Sequence, residues 1–192
     1  MEYLLTPHTA YNEAFVWWEG AFTDKQLDIL QNMAKNATKQ ASIGTGAGEV
    51  IQQFRRSQVS WMSNTPDTKW VFSTLANIAS DMNAQHYGFD LTGFGEPLQL
   101  TNYDQAEHGM YGWHRDCAKG ISRKLSMVVQ LSDPADYEGG NLQVFTGPQP
   151  TNIRKQRGLI TIFPSYALHQ VTPVTQGSRQ SLVAWVSGPA FK

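Results

Sequence analysis

The sequence predicts a mainly β protein in which helices precede an antiparallel β-sandwich or barrel. Helix-start signals and apolar residues spaced three and four apart occur before about residue 90. From about residue 91 the chain changes to short β-rich segments separated by clusters of Gly, Pro, Asp and Asn. No internal repeat or long linker interrupts the 192 residues. We therefore expect one domain, 1–192, with a helical support region at 1–90 and a β core at 91–192.

Two helices are predicted in the N-terminal region. Thr23-Asp24-Lys25-Gln26 has the Thr-x-x-Gln form of a capping box, and the apolar spacing after it predicts a helix from about 24 to 36. Thr65-Pro66-Asp67 combines a capping hydroxyl, a proline at the first helical position and an acid in the first turn. It predicts the start of a second helix, and Gly88 stands where a helix-ending glycine is expected.

A glycine-rich stretch, GTGAGEV at residues 44–50, separates the two helices. No strong strand precedes it and no long helical pattern opens from it, so we interpret it as a surface loop rather than a nucleotide-binding turn. A mobile flap over a site is a second interpretation of the same stretch.

Five β segments are predicted in the core region, and Glu138-Gly139-Gly140-Asn141 supplies a turn between two of them. Short strands at regular intervals, with no helical pattern between them, are typical of a sandwich or barrel. The segments are Pro97–Tyr103, Leu125–Leu131, Asn141–Phe145, Leu159–Phe163 and Ser181–Ser187.

Charge and cysteine content exclude several classes of protein. The formal net charge of −1 provides no general attraction to nucleic acid or to an anionic membrane, and the basic clusters Arg55-Arg56 and Arg154–Arg157 are interpreted as solvated surface. The single cysteine, Cys117, excludes an internal disulfide and a multi-cysteine metal site. The first twenty residues lack a basic start followed by an apolar run, and no window has the apolar length of a membrane span. We therefore expect a cytoplasmic protein with no nucleic-acid or membrane partner.

The segment YGWHRD, residues 111–116, contains a candidate metal site. Successive side chains of a strand alternate between its faces, so His114 and Asp116 are expected on one face. His169, just after a predicted strand, is the best candidate for a third ligand. Two histidines and one carboxylate form the facial triad of non-haem Fe(II) oxygenases. Zinc with the same ligands is the rival, although the H-E-x-x-H pattern of zinc hydrolases is absent, and histidines that pack without a metal are the simplest alternative.

Arg179 is a candidate anion-binding residue. On a strand it shares one face with Ser181, Val183 and Trp185, and most of that face is apolar. An inward arginine needs an anionic partner to offset its desolvation, and its fork of donors beside a hydroxyl suits a carboxylate. Tyr103, in the strand before the His-x-Asp segment, could offer a phenol to the same anion. An arginine that reaches solvent and a half-buried strand tyrosine are the structural alternatives.

Three stretches resemble one enzyme family: NYDQAEHGMYGWHRD, RKLSMVVQLSDPADYEGGNLQVF and GLITIFPSYALHQVTPVTQGSRQSLVAWVSGP. They are similar to the 2-oxoglutarate and Fe(II)-dependent dioxygenases of the prolyl hydroxylase type, above all to the bacterial and phage branch called PKHD-type hydroxylases. The resemblance covers roughly residues 97–189, about half of the chain, and the N-terminal half matches only in general plan. It implies a double-stranded β-helix, a jelly-roll relative, with the site in the mouth of the barrel.

The resemblance also implies roles for individual residues. His114, Asp116 and His169 match the iron ligands of the family. Arg179 matches the basic residue that grips the distal carboxylate of 2-oxoglutarate, where collagen-type prolyl hydroxylases carry lysine. The neighbouring positions expected to complete this co-substrate contact are Ser181, Tyr103 and Gln130, the last of which replaces the tyrosine usual in the oxygen-sensing branch.

Other residues are candidates for lining the site near the substrate: Tyr111, Trp113, Trp185 and His108. Packing inside the barrel is an equal alternative for Tyr111 and Trp113. A dry apolar wall around a reactive oxidant is expected from Trp185, Val183, Met127 and Val129. Specificity is expected in loops such as 41–50 and 104–110.

The leading hypothesis is an Fe(II)- and 2-oxoglutarate-dependent dioxygenase that hydroxylates an unactivated C–H bond, in a prolyl residue of a protein or peptide. The family implies that 2-oxoglutarate and O2 are consumed and that succinate and CO2 are released, with ascorbate as a candidate reductant. A free amino acid or another small molecule is the alternative substrate. From a different class, the chain could be a β-barrel module that binds a metal or an anion without turnover, but the complete triad and Arg179 argue against that.

Overall fold

Two antiparallel β-sheets and two α-helices build the computed structural model, which describes residues 13–42, 53–117, 120 and 122–190. The predicted mainly β class is confirmed. The GTGAGEV stretch, with its loop and flap interpretations, lies outside the described residues. The helices are α1 (Asp24–Lys35) and α2 (Lys69–His86), and the strands are β1 (Val16–Trp18), β2 (Lys39–Gln40), β3 (Arg55–Arg56), β4 (Gln58–Met62), β5 (Gly93–Phe94), β6 (Leu98–Asp104), β7 (Met110–His114), β8 (Arg123–Gln130), β9 (Tyr137–Gly139), β10 (Leu142–Phe145), β11 (Pro150–Asn152), β12 (Ile160–Pro164), β13 (His169–Val171) and β14 (Val174–Ser187).

The larger sheet is centred on the long strand β14. Its order is β1-β12-β8-β14-β6-β4-β2, and β5 and β9 each pair with a further part of β14. Strand β14 is antiparallel to both β6 and β8, so that Ser181 lies opposite Thr101 on one side and Gln130 on the other. The predicted segments 97–103, 125–131 and 181–187 are therefore neighbours at the centre of this sheet.

The smaller sheet has the order β11-β10-β13-β7-β3. Strand β13 is antiparallel to β7, and His169 lies directly opposite His114 in the register of this pair. The two histidines predicted as metal ligands therefore come from adjacent strands, although 54 positions of the chain separate them.

The two helices pack against one face of the larger sheet. The predicted capping box of α1 is confirmed, because the Gln26 amide donates to the Thr23 hydroxyl and the Thr23 amide donates to the Gln26 side chain at 2.9 Å. Apolar residues of both helices form one buried cluster with alternate residues of β8 and β14, namely Met127, Val129, Leu182 and Ala184. This leaves the opposite face of the larger sheet to meet the smaller sheet.

Helix α2 begins about one turn later than predicted. Thr65-Pro66-Asp67 forms a turn in front of the helix, in which the Thr65 carbonyl accepts from the Lys69 amide at 2.8 Å. Thr68 rather than Thr65 occupies the N-cap position, but its hydroxyl donates to the Ser63 carbonyl at 2.6 Å and caps no helix amide. Gly88 follows the helix with a φ of +64°, as its predicted helix-ending role requires. No helix in the described ranges has the length and apolar character needed to cross a membrane.

The N-terminal region is not purely helical, which corrects the expected division at residue 90. Strands β1, β2 and β4 extend the larger sheet, and β3 forms an edge of the smaller one. These strands are two to five residues long, too short for the alternation of polar and apolar residues to be recognised.

Candidate metal and anion site

The imidazoles of His114 and His169 are oriented by backbone carbonyls. Nδ1 of His114 lies 2.7 Å from the Gly112 carbonyl, and Nδ1 of His169 lies 2.9 Å from the Ala167 carbonyl. A carbonyl can only accept, so both rings carry their proton on Nδ1 and leave the Nε2 lone pair free. This is the arrangement in which a histidine binds a metal through Nε2.

Both free ring nitrogens point at the carboxylate of Asp116. His114 Nε2 lies 3.6 Å from Oδ1, and His169 Nε2 lies 3.5 Å from Oδ2. Asp116 follows the end of β7, where its backbone amide donates to the Ser165 carbonyl at 2.9 Å. Its side chain therefore reaches the histidines from a bend rather than from the continuous strand that the H-x-D spacing suggested. The Ser126 hydroxyl donates to Oδ2 at 2.6 Å and holds the carboxylate in place.

The protonation states of this cluster suit a cation. Burial together with the neighbouring His169 lowers the pKa of His114 to about 3, so its imidazole is neutral at pH 7. Burial by itself would raise the pKa of Asp116, but the two imidazoles and the Ser126 hydrogen bond outweigh it and hold that pKa below its ordinary value. A buried carboxylate faced by the Nε2 atoms of two imidazoles is a ligand set for a divalent metal.

The three side chains can hold one metal ion. Their ligating atoms lie within 4.8 Å of one another, and within the described ranges no other group of His, Cys, Asp and Glu has such spacing. Two imidazole nitrogens and one carboxylate oxygen on one side of a metal leave its remaining positions open to small molecules. Larger clefts lie beside α2, but the cavity next to the triad is the one that brings ligands and charges together.

Arg179 lies in the same cavity, almost completely buried. Its Nη2 donates to Gln130 Oε1 at 2.7 Å, and its guanidinium stands 5.4 Å from the centre of the Tyr103 ring. Arg179 Nε and Gln130 Nε2 are buried donors that find no acceptor among the described residues. Two unmatched donors around a buried positive charge fit a carboxylate, which would supply the missing acceptors and the counter-charge. Ser181, on the same strand face, lines the cavity beside them.

Two residues that were given no role at the site from the sequence, Tyr137 and Gly140, shape the position of Arg179. Tyr137 lies beside the guanidinium, and burial raises the pKa of its phenol despite the opposing effect of the arginine charge. At Gly140 a Cβ would come within 3.1 Å of the Arg179 side chain, and the φ there is +55°. The Gly139-Gly140 turn that the sequence did predict thus also makes room for the arginine.

The cavity lies between the two sheets and opens to solvent. Of the residues predicted near the substrate, Tyr111 and Trp185 line it, with the Tyr111 ring stacked on the His114 imidazole at 3.5 Å. Trp113 and His108 do not line it. Trp113 packs edge-on against the exposed Phe145 ring of β10.

His108 occupies the turn between β6 and β7, with a φ of +46°. It is exposed, and its carbonyl accepts two hydrogen bonds from Arg56, at 3.1 and 3.2 Å. The predicted role of this histidine beside the substrate therefore finds no support in its position.

The predicted apolar wall is right on β14 and wrong on β8. Val183 and Trp185 line the cavity, but Met127 and Val129 face the helices, and Val128 lines the cavity in their place. The run from Met127 to Val129 is apolar throughout, so the sequence pattern did not show which residues turn inward.

Arg55 is the main cavity residue that sequence reasoning placed wrongly. It is 6% exposed and lines the cavity next to Gln99, whereas the Arg55-Arg56 cluster was expected at the surface. Only Arg56 of that pair lies near the surface, because β3 is an edge strand whose successive side chains point to opposite faces.

Comparison with known proteins places the site in a family. Residues 98–187 match the family model described as the 2OG-Fe(II) oxygenase superfamily. A PKHD-type hydroxylase of Sphingopyxis alaskensis is 34% identical over 110 residues, which are 54% of this chain and 50% of that protein. A PKHD-type hydroxylase of Maricaulis maris is 39% identical over 149 residues, 74% of this chain and 64% of that protein. The chain thus spans between half and two thirds of the length of these two relatives.

The fold has a counterpart among solved structures. A prolyl hydroxylase from Trichoplax adhaerens, in complex with a peptide fragment of the hypoxia inducible factor oxygen degradation domain, superposes with a TM-score of 0.77. The superposition covers 91% of this chain and 84% of the other at 15% identity, and it confirms the expected double-stranded β-helix. The segment matched by the family model carries the candidate metal ligands and Arg179. Residues 98–187 of this chain belong to the 2OG-Fe(II) oxygenase superfamily.

Proposed function

We propose that this chain is an Fe(II)- and 2-oxoglutarate-dependent dioxygenase that hydroxylates an unactivated C–H bond. The observation that carries the proposal is the convergence of three ligands and the buried guanidinium of Arg179 on a single cavity. The Nε2 atoms of His114 and His169 point at Asp116, and Arg179 with its unmatched donor lies across the same space. A metal site alone would not need the arginine, and an anion site alone would not need the triad.

The triad would hold Fe(II) through two imidazole nitrogens and one carboxylate oxygen. The Gly112 and Ala167 carbonyls fix the tautomers of the two histidines, and Ser126 fixes the carboxylate of Asp116. Both imidazoles are held in the orientation that a metal needs, so little reorganisation accompanies binding.

Arg179 and Gln130 would hold the distal carboxylate of 2-oxoglutarate through the donors that now lack acceptors. Tyr103 and Ser181 line the same end of the cavity and can add hydroxyl donors to that carboxylate. When bound, iron(II), 2-oxoglutarate and O2 supply the oxidising chemistry, with succinate and CO2 as co-products. Val128, with its apolar side chain, keeps water away from the reacting centre.

The proposed substrate is a prolyl residue in a protein or peptide. The support comes from the names of similar proteins: a prolyl hydroxylase solved with a peptide has the same fold, and the sequence relatives are called PKHD-type hydroxylases. The cavity opens to solvent between the two sheets, and the target residue of a longer chain would enter through this mouth.

Anaerobic addition of Fe(II) and 2-oxoglutarate tests the proposal directly. We expect a visible absorption band that requires both additions, because 2-oxoglutarate bound to the iron creates a charge-transfer transition. Admission of O2, with ascorbate as reductant, should then release succinate. The variant Asp81→Asn, on the exposed side of α2, is the matched control and should give the same band. A protein that binds zinc tightly but shows no band with Fe(II) and 2-oxoglutarate would contradict the dioxygenase proposal.

A further inference from the structure

The cavity contains a second buried arginine that the proposed reaction does not use. Arg55 comes from β3 of the smaller sheet, whereas Arg179 comes from β14 of the larger one. Both guanidinium groups line the cavity, and both residues are more than nine-tenths buried. A buried arginine costs free energy unless its charge is balanced, so its presence next to a metal site calls for a physical reason.

The contacts of Arg55 satisfy its hydrogen-bond donors without balancing its charge. Nε donates to the Ser57 hydroxyl at 3.1 Å, Nη2 to Gln99 Oε1 at 2.8 Å and Nη1 to the Ser42 carbonyl at 3.4 Å. All three acceptors are neutral, and two of the five N–H groups remain for another partner. In the part of the chain that the structure describes, no carboxylate lies within 4.0 Å of this guanidinium.

The charges of the loaded cavity point to the missing partner. Its lining contains two arginines and one aspartate, and histidines bind a metal only as neutral imidazoles, so the protein groups of the loaded cavity carry one net positive charge. Iron(II) and the 2-oxoglutarate dianion cancel each other, so loading both does not remove that charge. With Asp116 committed to the metal and Arg179 to the distal carboxylate, the charge that remains is that of Arg55.

Arg55 is also close to the place of reaction. Its guanidinium lies 4.3 Å from the centre of the Tyr111 ring, and that ring stacks on His114 at 3.5 Å. A group held by Arg55 is therefore separated from a metal ligand by one aromatic ring. Gln99 holds the guanidinium from the larger sheet, so the charge cannot swing away toward solvent without losing its shortest hydrogen bond.

Building on the proposed function, we propose that Arg55 is a substrate-binding residue that recognises a carboxylate of the substrate. The dioxygenase then acts on an acidic molecule or segment, whose carboxylate lies a few bonds from the C–H that is hydroxylated. The carboxylate can be the α-carboxylate of a free amino acid or an acidic side chain beside a prolyl residue. Both present the same chemistry to a guanidinium, namely two oxygens in one plane.

Calorimetric titration of the protein loaded with Mn(II) and 2-oxoglutarate tests the proposal without turnover. One pair of probes is L-proline and L-prolinamide, and the other is acetyl-Pro-Glu-amide and acetyl-Pro-Gln-amide. In at least one pair we expect the acid to bind about 10-fold or more tightly than its neutral partner, as a buried charge pair requires. The pair that shows the preference identifies the source of the carboxylate.

Variants assign the preference to Arg55. Arg55→Gln should reduce the ratio of acid to amide affinity to about 1, and Arg55→Lys should restore part of it because it restores the charge. Arg56→Gln is the matched control, since it removes the same charge from the next position of β3 but outside the cavity, and it should keep the preference. Binding of Mn(II) and 2-oxoglutarate by each variant reports that its site is folded.

Several results would overturn the proposal. They are equal binding of acid and amide by the wild-type protein, no binding of either acid at millimolar concentration, and an undiminished preference in Arg55→Gln. Failure of the wild-type protein to bind Mn(II) and 2-oxoglutarate would instead contradict the dioxygenase proposal, so the two failures are distinguishable.

Discussion

The two faces of the larger sheet are built from the same strands and differ in almost every property. The helix face of β8 and β14 carries Met127, Val129, Leu182 and Ala184, which pack against the helices. The cavity face of the same strands carries Ser126, Val128, Gln130, Arg179, Ser181, Val183 and Trp185. Because side chains alternate along a strand, neighbouring residues serve opposite purposes.

Buried apolar side chains on the helix face stabilise the fold. Buried polar and charged side chains on the cavity face offset part of that stabilisation. Arg179 is almost completely buried next to donors that find no acceptor, a state that costs free energy until an anion binds. Stability and ligand binding therefore depend on opposite faces of the same two strands, β8 and β14. Substitutions of adjacent residues should therefore separate the two properties.

Replacing a metal ligand should give the largest effect on function. We expect Asp116→Ala to reduce succinate formation from 2-oxoglutarate by more than about 100-fold, because loss of a residue that merely supports a metal ligand already costs 10- to 100-fold. The melting temperature should change little, since the removed carboxylate is held next to two imidazoles rather than in the apolar cluster. Asp81→Ala on α2 is the control, and unchanged turnover in Asp116→Ala would remove this residue from the site.

Truncating the helix face should have the opposite signature. Leu182 is fully buried between Leu100 and Val129 of the adjacent strands. Leu182→Ala should lower the free energy of unfolding by about 2–5 kcal/mol, measured by urea denaturation, because it leaves a cavity in a packed cluster. The folded fraction should keep its affinity for Fe(II) and 2-oxoglutarate. Val183→Ala, one residue away on the cavity face, is the control. If Leu182→Ala weakened the binding of Fe(II) or 2-oxoglutarate more than Val183→Ala does, the proposed difference between the two faces would be wrong.

Much of this arrangement could be predicted from the sequence. The capping box at Thr23 and the β segments of the core could be predicted because their sequence signals are local and span several residues. His114, Asp116, His169 and Arg179 were identified from spacing and from a family resemblance, and the structure brings all four to one cavity.

What could not be predicted depends on contacts between distant parts of the chain. Arg55 lies on a two-residue strand, and its burial results from pairing with Tyr111 of β7 and from Gln99 of β6. Neither partner is near in sequence. The inward turn of Val128 instead of Val129 was hidden because both faces of β8 are buried, so apolar residues occur without alternation.

Removing the charge of Arg179 should separate ligand affinity from stability on the cavity face itself. We expect Arg179→Gln to weaken 2-oxoglutarate binding about 30-fold or more, the effect of losing one partner of a buried charge pair. The affinity for Fe(II) should change little, and the free energy of unfolding should stay equal or rise because a buried charge is removed. Titration of the absorption band with 2-oxoglutarate measures the first quantity. Arg154→Gln, at an exposed arginine, is the control, and equal weakening of iron and 2-oxoglutarate would show that Arg179 acts on the structure of the whole site.

The smallest predicted effect concerns a residue that touches neither substrate nor metal. Ser126 donates to Asp116 Oδ2 at 2.6 Å and lies 3.0 Å from the Ser165 hydroxyl. Ser126→Ala should weaken Fe(II) binding about 10-fold, because the carboxylate loses the donor that orients it, while 2-oxoglutarate affinity at saturating metal stays constant. Ser132→Ala is the matched control. Ser132 is a buried serine too, but it bonds to Gln180 on the helix face, so its loss should lower stability and leave iron affinity unchanged. Equal effects of the two serine variants on iron affinity would contradict the assignment of metal binding to the cavity face and of stability to the helix face.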